Sequence, residues 1–324
     1  METISGLTNW RLSVRREGDG ITILRAVSCD RRAVLPDALF GLPVTALHDR
    51  ALAHGATPLE GEEVRILGGA ESEDWDNRNI KELTLPHSLR EIGDYAFMNL
   101  RSMETLRFHD GLRATGSASF MNCRSFSRVE LTRSGTEQGP ALASIVRSLQ
   151  QELDVTVLRP DGSALRLIFP EYLEDFTENR PAHYFEMRIV GGGYGYHHVF
   201  RDKALNVSDY DALWQSYLAG EHDEDSALRL SYYRLRYPAE LSDRARAQYT
   251  AYLRKHLSGA LSFALRERDM RGLRMLLDLE TPDVRTLDAA LNEARDLRLT
   301  EATAMLLEIG RAGAGKGRAR KFEL

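Results

Sequence analysis

Two phrases decide how this chain folds: EIGDYAFMNLRSM at residues 91–103 and ATGSASFMNCRSF at 114–126. The second repeats the first 23 residues later, with its glycine, phenylalanine and asparagine still in place. The register extends to both sides. Ile80, Met103 and Phe126 coincide, as do Leu83, Leu106 and Val129, and then Leu85, Phe108 and Leu131. Ile92 falls over Thr115, Gly93 over Gly116, Phe97 over Phe120 and Asn99 over Asn122. A fixed period of roughly 20–29 residues around an LxL core marks a solenoid, because no single unit can bury its own apolar side.

Within one unit, IKELTLP alternates, so Leu83 and Leu85 point one way and Glu82 and Thr84 the other. Pro86 ends the strand because it has no N–H to donate. SLREIG turns the corner, and DYAFMNL reads as a short helical turn that tucks Phe97 inward. On the three strands the outward set is Glu82, Thr84, Thr105, Arg107, Arg128 and Glu130, a mixed-charge ladder and the candidate binding surface. Thr84, Arg107 and Glu130 form one column, and Glu82, Thr105 and Arg128 the other.

These units resemble the BspA-like class of leucine-rich repeat, written LxxIxLPxSLxxIGdyAFxnCxSL. Residues 80–131 match closely, and the resemblance extends over about residues 20–132. AVLPDALFGLPVTALHDRAL at 33–52 looks like a longer opening unit, with Leu35–Pro36 and LHDRAL at 47–52 in the same roles. Ahead of it, WRLSVRREGDGITILRAV reads as two alternating strands around a glycine turn, a cap for the first coil. Residues 53–79 break the register as an acidic insertion, and Thr115 stands where the pattern wants an aliphatic residue. The resemblance implies a binding protein, and such repeats are often found on exported proteins.

Composition narrows the remaining classes. Lysine and arginine number 43 against 48 acidic residues, a net charge of −5, so no strong field draws nucleic acid. Cys29 and Cys123 lie apart with no CxxC or Cys/His spacing, which suits reduced thiols better than a disulfide framework or zinc. The opening METISGLTNWRLSVRREGDG has no basic stretch followed by an apolar run, and no segment reaches the ~18 apolar residues of a membrane span. The expectation is a cytoplasmic protein without cofactor or metal.

The middle of the chain offers several false friends. GPALASIVRSLQQEL at 139–153 has helical spacing and is expected to close the solenoid's open end. DVTVLRPDGSALRLIFPEY reads as a hairpin around Asp–Gly, and YFEMRIVG as a third strand. In GGYGYHHVF, Gly191 and Gly193 are followed by Tyr196 where a dinucleotide loop needs a third glycine, and YHHVF reads as strand. On a strand His197 and His198 would face opposite sides, one buried and one exposed, and could not share a metal. Glu171, Glu174, Asp175 and Glu178 fall on one side at helical spacing, facing water. At the tail, GRAGAGKG satisfies GxxxxGK, but Gly317 replaces the magnesium-binding Ser or Thr. With Arg311, Lys316, Arg318, Arg320 and Lys321 it reads as a basic flexible tail.

From about residue 208 the period changes to that of helices. SDYDALWQSYLAG opens on Ser208 as an N-cap and stops at Gly220, and 238–256 reads as one long helix with Glu240, Arg244 and Arg246 on its polar side. ALSFALRERDMRGLRMLLDL at 260–279 overlays ALNEARDLRLTEATAMLLEI at 290–309, pairing Ala260 with Ala290, Leu261 with Leu291, Ala264 with Ala294 and Leu276 with Leu306. Met275 and Leu277 coincide likewise with Met305 and Leu307. This is similar to ankyrin-type helix pairs, without their TPLH opening or Gly-His loop.

The reading is therefore an α+β chain. It has a capped leucine-rich-repeat β-solenoid at 1–135, a capping helix and small β-rich segment at 136–205, an ankyrin-like α-helical repeat domain at 206–310 and a basic tail at 311–324. Its function is expected to be non-enzymatic protein–protein interaction, as a module or scaffold. The partner is another protein, not a specific nucleic acid or a membrane. The alternatives are a hydrolytic enzyme using Glu171, His183 or His197 within 140–205, and an exported cell-surface binding protein.

Overall fold

Strands 23 residues apart lie side by side and parallel in the computed structural model, which describes residues 2–57, 59–70, 73–135, 139–179 and 184–319. Leu106 pairs with Leu83 on one side and with Val129 on the other, the register the repeat demands. These strands, Glu82–Thr84, Thr105–His109 and Arg128–Thr132, belong to a six-stranded sheet. Arg32–Val34 flanks them at one edge, and Leu153–Leu158 followed by Ala164–Phe169 at the other. Leu83, Leu85, Leu106, Phe108, Val129 and Leu131 are all buried on its inner side.

The same coils build a second sheet at their far corner. Ala46 and Leu47 pair in parallel with Glu91 and Ile92, which pair with Ala114 and Thr115. Three coils thus stack there, and the opening unit takes its place in the array. Trp10–Glu17 and Gly20–Ser28 extend this sheet as the expected antiparallel pair. The insertion 53–79 is more than an interruption. Its strand Glu62–Leu67 pairs with Trp10–Glu17 on one side and Glu2–Ser5 on the other, an arrangement that the acidic composition around it hides.

Several middle segments differ from their sequence reading. The capping helix is shorter, Ala141–Arg147, and Leu153 already opens a strand. It buries Ala141, Leu142, Ile145 and Val146 and packs by Ala114–Thr115. The Asp–Gly hairpin forms, and its first strand joins the repeat sheet in parallel, Val155 beside Val129. EYLEDFTE is strand rather than helix: Leu173–Asn179 pairs antiparallel with Tyr184–Val190 as a separate two-stranded ribbon. Glu174 and Asp175 therefore point to opposite sides instead of sharing a helical face. YHHVF is also corrected, since Tyr194–His197 is a helical turn.

The chain forms two compact units, Met1–Glu221 and His222–Leu324. The expected boundary at 205 therefore moves to 221. The reason is aromatic: Tyr210 donates to the carbonyl of Ile168 at 2.5 Å and packs edge-on against Phe169 and Tyr196. Helices Val207–Ala212 and Trp214–Ala219 thereby belong to the first unit. Asn206, not Ser208, caps the first of them through Asp209 N–H.

Among the described residues, the regular elements of the second unit are all helices. Glu224–Arg236 and Asp243–Lys255 are followed by Leu257–Arg266, Met270–Leu279, Val284–Asp296 and Thr300–Ala319. The long helix opens at Asp243, capped by Ser242, because Glu240 sits at φ 56 in the preceding turn. The 30-residue repeat survives as a repeated turn. Arg268 and Arg298 both adopt positive φ, and the next residues, Asp269 and Leu299, donate to the carbonyls of Ala264 and Ala294. Leu276 and Leu306 are fully buried. Leu277 is buried while its counterpart Leu307 is open. The final helix runs to Ala319, past the expected start of a flexible tail at 311, in a stretch that no proline interrupts. Arg320 and Lys321 lie outside the described residues.

Candidate binding face

On the outer side of the six-stranded sheet, the parallel register sets Arg107 beside Thr84 and Glu130, and Thr105 beside Glu82 and Arg128. These are the two expected columns. The ion pairs follow a column to Glu130 but cross between columns to Glu82. Arg107 donates through Nη1 to Glu82 at 2.7 Å and through Nε and Nη2 to Glu130 at 2.8 and 3.2 Å. Arg32 continues the line by donating to Glu82 at 3.0 Å. The result is an alternating chain Arg32–Glu82–Arg107–Glu130 across four strands.

The electrostatics follow from these contacts. The hydrogen bond from Arg107 holds the Glu82 carboxyl below its usual range. Burial works against the Arg107 charge, but its hydrogen bonds to Glu130 and Glu82 outweigh it and raise the guanidinium above its usual value. A parallel pairing joins Lys81 to Glu104 at 2.7 Å, with Arg128 at 3.6 Å from the same carboxylate, and the Lys81 bond holds Glu104 low. Charges on this face mostly answer one another, so its long-range field is small.

One of the six candidate residues is not available. Thr105 is only 2% exposed despite pointing outward. Glu82, Thr84, Arg107 and Glu130 are half-buried, and Arg128 is exposed. The ladder is also wider than the six. Arg32 belongs to it, and RAVLP at 32–36 over ELTLP at 82–86 was the available signal. Asp154, bound by both Nε and Nη2 of Arg166, extends the face beyond Arg128. Its register is shifted by 26 residues rather than 23, which conceals it in the sequence.

The alternative catalytic residues are not brought together. His197 is fully buried, with Nδ1 at 3.0 Å from the Val146 carbonyl and Nε2 at 3.0 Å from that of Pro170. Burial pushes its imidazole below the ordinary value, partly opposed by those carbonyls. His198 is exposed and stacked on Tyr194. Glu171 is exposed, and His183 lies outside the described residues. The glycine run serves packing, since a Cβ on Gly193 would fall 1.9 Å from the Pro170 oxygen. Among the described residues no cluster of His, Cys, Asp and Glu has the arrangement of a metal site.

A half-open hollow of about 320 Å³ lies under the insertion, lined by Arg11, Arg25, His54, Trp75, Asp76 and Asn77. Its polar groups are engaged in the fold. Arg25 donates to the carbonyls of Leu24, Asp49 and Thr57, and Asn77 to those of Ala26 and Leu52. Cys29 and Cys123 are free thiols, and burial pushes that of Cys123 up to about 12. No described helix is long and apolar enough to cross a membrane.

Two solved structures are similar to part of this chain. One is a leucine rich repeat protein of T. pallidum, 22% identical over 37% of this chain and 50% of that one, with a TM-score of 0.28. The other is a leucine rich cell surface protein from Faecalibacterium prausnitzii A2-165, 16% identical over 45% of this chain and 38% of that one, with a TM-score of 0.27. The chain thus spans half or less of either structure's length. No curated protein matches it significantly. Residues 71–151 match the BspA type leucine rich repeat region (6 copies), and within that span lie the strands that stack at a 23-residue shift.

Proposed function

We propose that this protein is a non-enzymatic module that binds another protein, with the outer face of the six-stranded sheet as its contact surface. The observation that carries the reading is the chain Arg32–Glu82–Arg107–Glu130, whose members hold one another in place across four adjacent strands. Side chains already fixed lose little further entropy when a partner covers them. Paired charges of alternating sign select a partner's register rather than attract it from afar. The match to a BspA type leucine rich repeat region supports a binding role. The outer face of the repeat sheet is one candidate surface, and the C-terminal helix pairs, which resemble ankyrin-type repeats, offer a second. The compartment in this proposal is the cytoplasm, consistent with two free thiols.

The test must respect the pairing. Arg107→Glu would gather three carboxylates on adjacent strands and weaken the fold, confounding a binding result. An Arg107→Gln, Arg128→Gln double variant removes both cations while keeping polar side chains that still reach the neighbouring carboxylates, and solvent-accessible ion pairs contribute only about 1 kcal/mol each. Affinity capture from the native cell lysate, with the full chain as bait, is expected to recover one stoichiometric protein with wild type and lose it with the folded double variant. Unchanged capture would remove this face from consideration and leave the helical repeats as the candidate surface.

A further inference from the structure

The hollow under the insertion lies on the outer side of the sheet that carries Trp10–Glu17 and Gly20–Ser28, away from buried Trp10 and Leu12. Arg11 stands across from Val27, and Ser13 from Arg25, so Arg11 and Arg25 are diagonal neighbours on that one face. Such positions are ~7–8 Å apart, within reach of two long side chains. The fold holds both guanidiniums in place without neutralising either. Arg11 lies over the Trp75 ring at 4.1 Å and, among the described residues, makes no hydrogen bond or ion pair. Arg25 gives Nε to the Thr57 carbonyl and Nη1 to those of Leu24 and Asp49, which leaves its Nη2 without a partner among the described residues. Burial, and after it the charge of Arg50, presses the Arg25 guanidinium below its usual value against a smaller opposing pull from Asp49.

The lining decides the sign and the size of an occupant. Asp76 is already bound by Arg78 and His54, and Glu63 is exposed to water, so the unanswered charge in the hollow is positive. The ring of Trp75, which in the open would attract a cation, already carries Arg11. Val27, Ala53, Ala56 and Trp75 make much of the remaining wall apolar. A volume of about 320 Å³ suits a small molecule rather than a folded partner. We propose that the hollow binds a small organic acid, with one carboxylate between Arg11 and Nη2 of Arg25 and an apolar body against Val27, Ala53 and Trp75. A carboxylate matches the planar fork of a guanidinium, and charge-assisted bonds to two of them fix its orientation. Phosphate, with a second negative charge, would face Glu63 and Asp76 in the same wall. The site is independent of the chain Arg32–Glu82–Arg107–Glu130, which belongs to the other large sheet.

The probe is phenylacetate, titrated into the full chain by calorimetry, with phenylacetamide as its uncharged match and inorganic phosphate as the competing oxyanion. Phenylacetate should bind saturably with a Kd of about 1 mM or tighter, an ordinary efficiency for so small a ligand, and more weakly as salt rises. Phenylacetamide should bind at least about tenfold more weakly, and so should phenylacetate to Arg11→Gln. That variant should melt close to wild type, because the Arg11 side chain makes no hydrogen bond. Arg25→Gln should lose binding to the same degree. Because Arg25 also holds three carbonyls of the fold, the Arg11 variant carries the test if Arg25→Gln does not fold. Equal affinity for the acid and the amide, full affinity in the folded Arg11→Gln, or no saturable binding of phenylacetate would overturn the proposal. So would phosphate that binds as tightly as phenylacetate and displaces it, which would make the hollow a phosphate site.

Discussion

Asn122 donates from Nδ2 to Oδ1 of Asn99 at 2.9 Å, one coil to the next, and both residues hold positive φ, 63° and 68°. The asparagine kept at the 23-residue spacing thus does two jobs. It accepts a left-handed backbone that few side chains tolerate, and it links coils through its amide. Asn122→Ala should destabilise the protein by about 1–2 kcal/mol, from the lost hydrogen bond and the strained alanine. Asn122→Gly should cost less, because glycine takes the same φ freely. Urea denaturation of the three proteins gives the order directly, and alanine matching wild type would contradict it.

Phe97 and Phe120 are the phenylalanines of the same repeat, at 0% and 6% exposure, with ring centroids 5.3 Å apart. Each is the apolar wedge of its coil, and Phe120 stacks further on Phe126 at 5.0 Å. Truncating either to alanine should open a cavity and cost about 3–5 kcal/mol. The drop in melting temperature on Phe97→Ala and Phe120→Ala measures it, and a loss under about 1 kcal/mol at either would be incompatible with the packing.

His197 predicts a pH dependence. Burial holds its folded-state value below the ordinary 6.5, so the unfolded chain takes up the proton more readily. The stability it contributes is present in full above that ordinary value and is lost as pH falls through the lowered folded value. His197→Phe should cost about 1–3 kcal/mol near neutral pH, since the neutral ring's one N–H donates to the carbonyl of Val146 or of Pro170 and that carbonyl loses its donor. It should also flatten the decline in stability on the acid side. Denaturation midpoints of both proteins across a pH series separate the two effects, and parallel curves would show that His197 does not titrate on unfolding.

In the helical unit, Tyr232 donates to Asp269 at 2.9 Å and Arg236 donates to the same oxygen at 2.8 Å. Asp269 caps the next helix through Gly272 N–H, and a Cβ on Gly272 would fall 1.6 Å from the Tyr232 hydroxyl oxygen. The equivalent position in the following repeat is Ala302, fully buried. Gly272→Ala should therefore displace Tyr232 and cost about 1–3 kcal/mol by overpacking, where a helical glycine in open space would gain from alanine. Chemical denaturation of Gly272→Ala decides the sign.

The fold of the repeat region was legible because its signals are local. Burial of Leu83, Leu106 and Val129 follows from alternation within each strand, and their neighbourhood follows from the constant shift. The strand Glu62–Leu67 was not legible, since its partners Glu2–Ser5 and Trp10–Glu17 are far away in sequence and it carries no copy of the motif. The ribbon was misread because EYLEDFTE has carboxylates at a spacing that suits a helix as well as a strand. Pairing with Tyr184–Val190 settles the choice, and a propensity cannot see a partner.

The candidate face divides the same way. The sequence by itself determined that Glu82, Thr84, Thr105, Arg107, Arg128 and Glu130 point away from the core, because side-chain direction along a strand alternates with period two. It also determined the two columns, because the repeat length sets the register. Only the tertiary structure decided that Arg107 reaches diagonally to Glu82 as well as sideways to Glu130, that Arg32 joins the line, and that Thr105 is covered. Long charged side chains choose among several neighbours within reach. That choice depends on which oxygens are close enough at once, a property of the assembled sheet and not of any single strand.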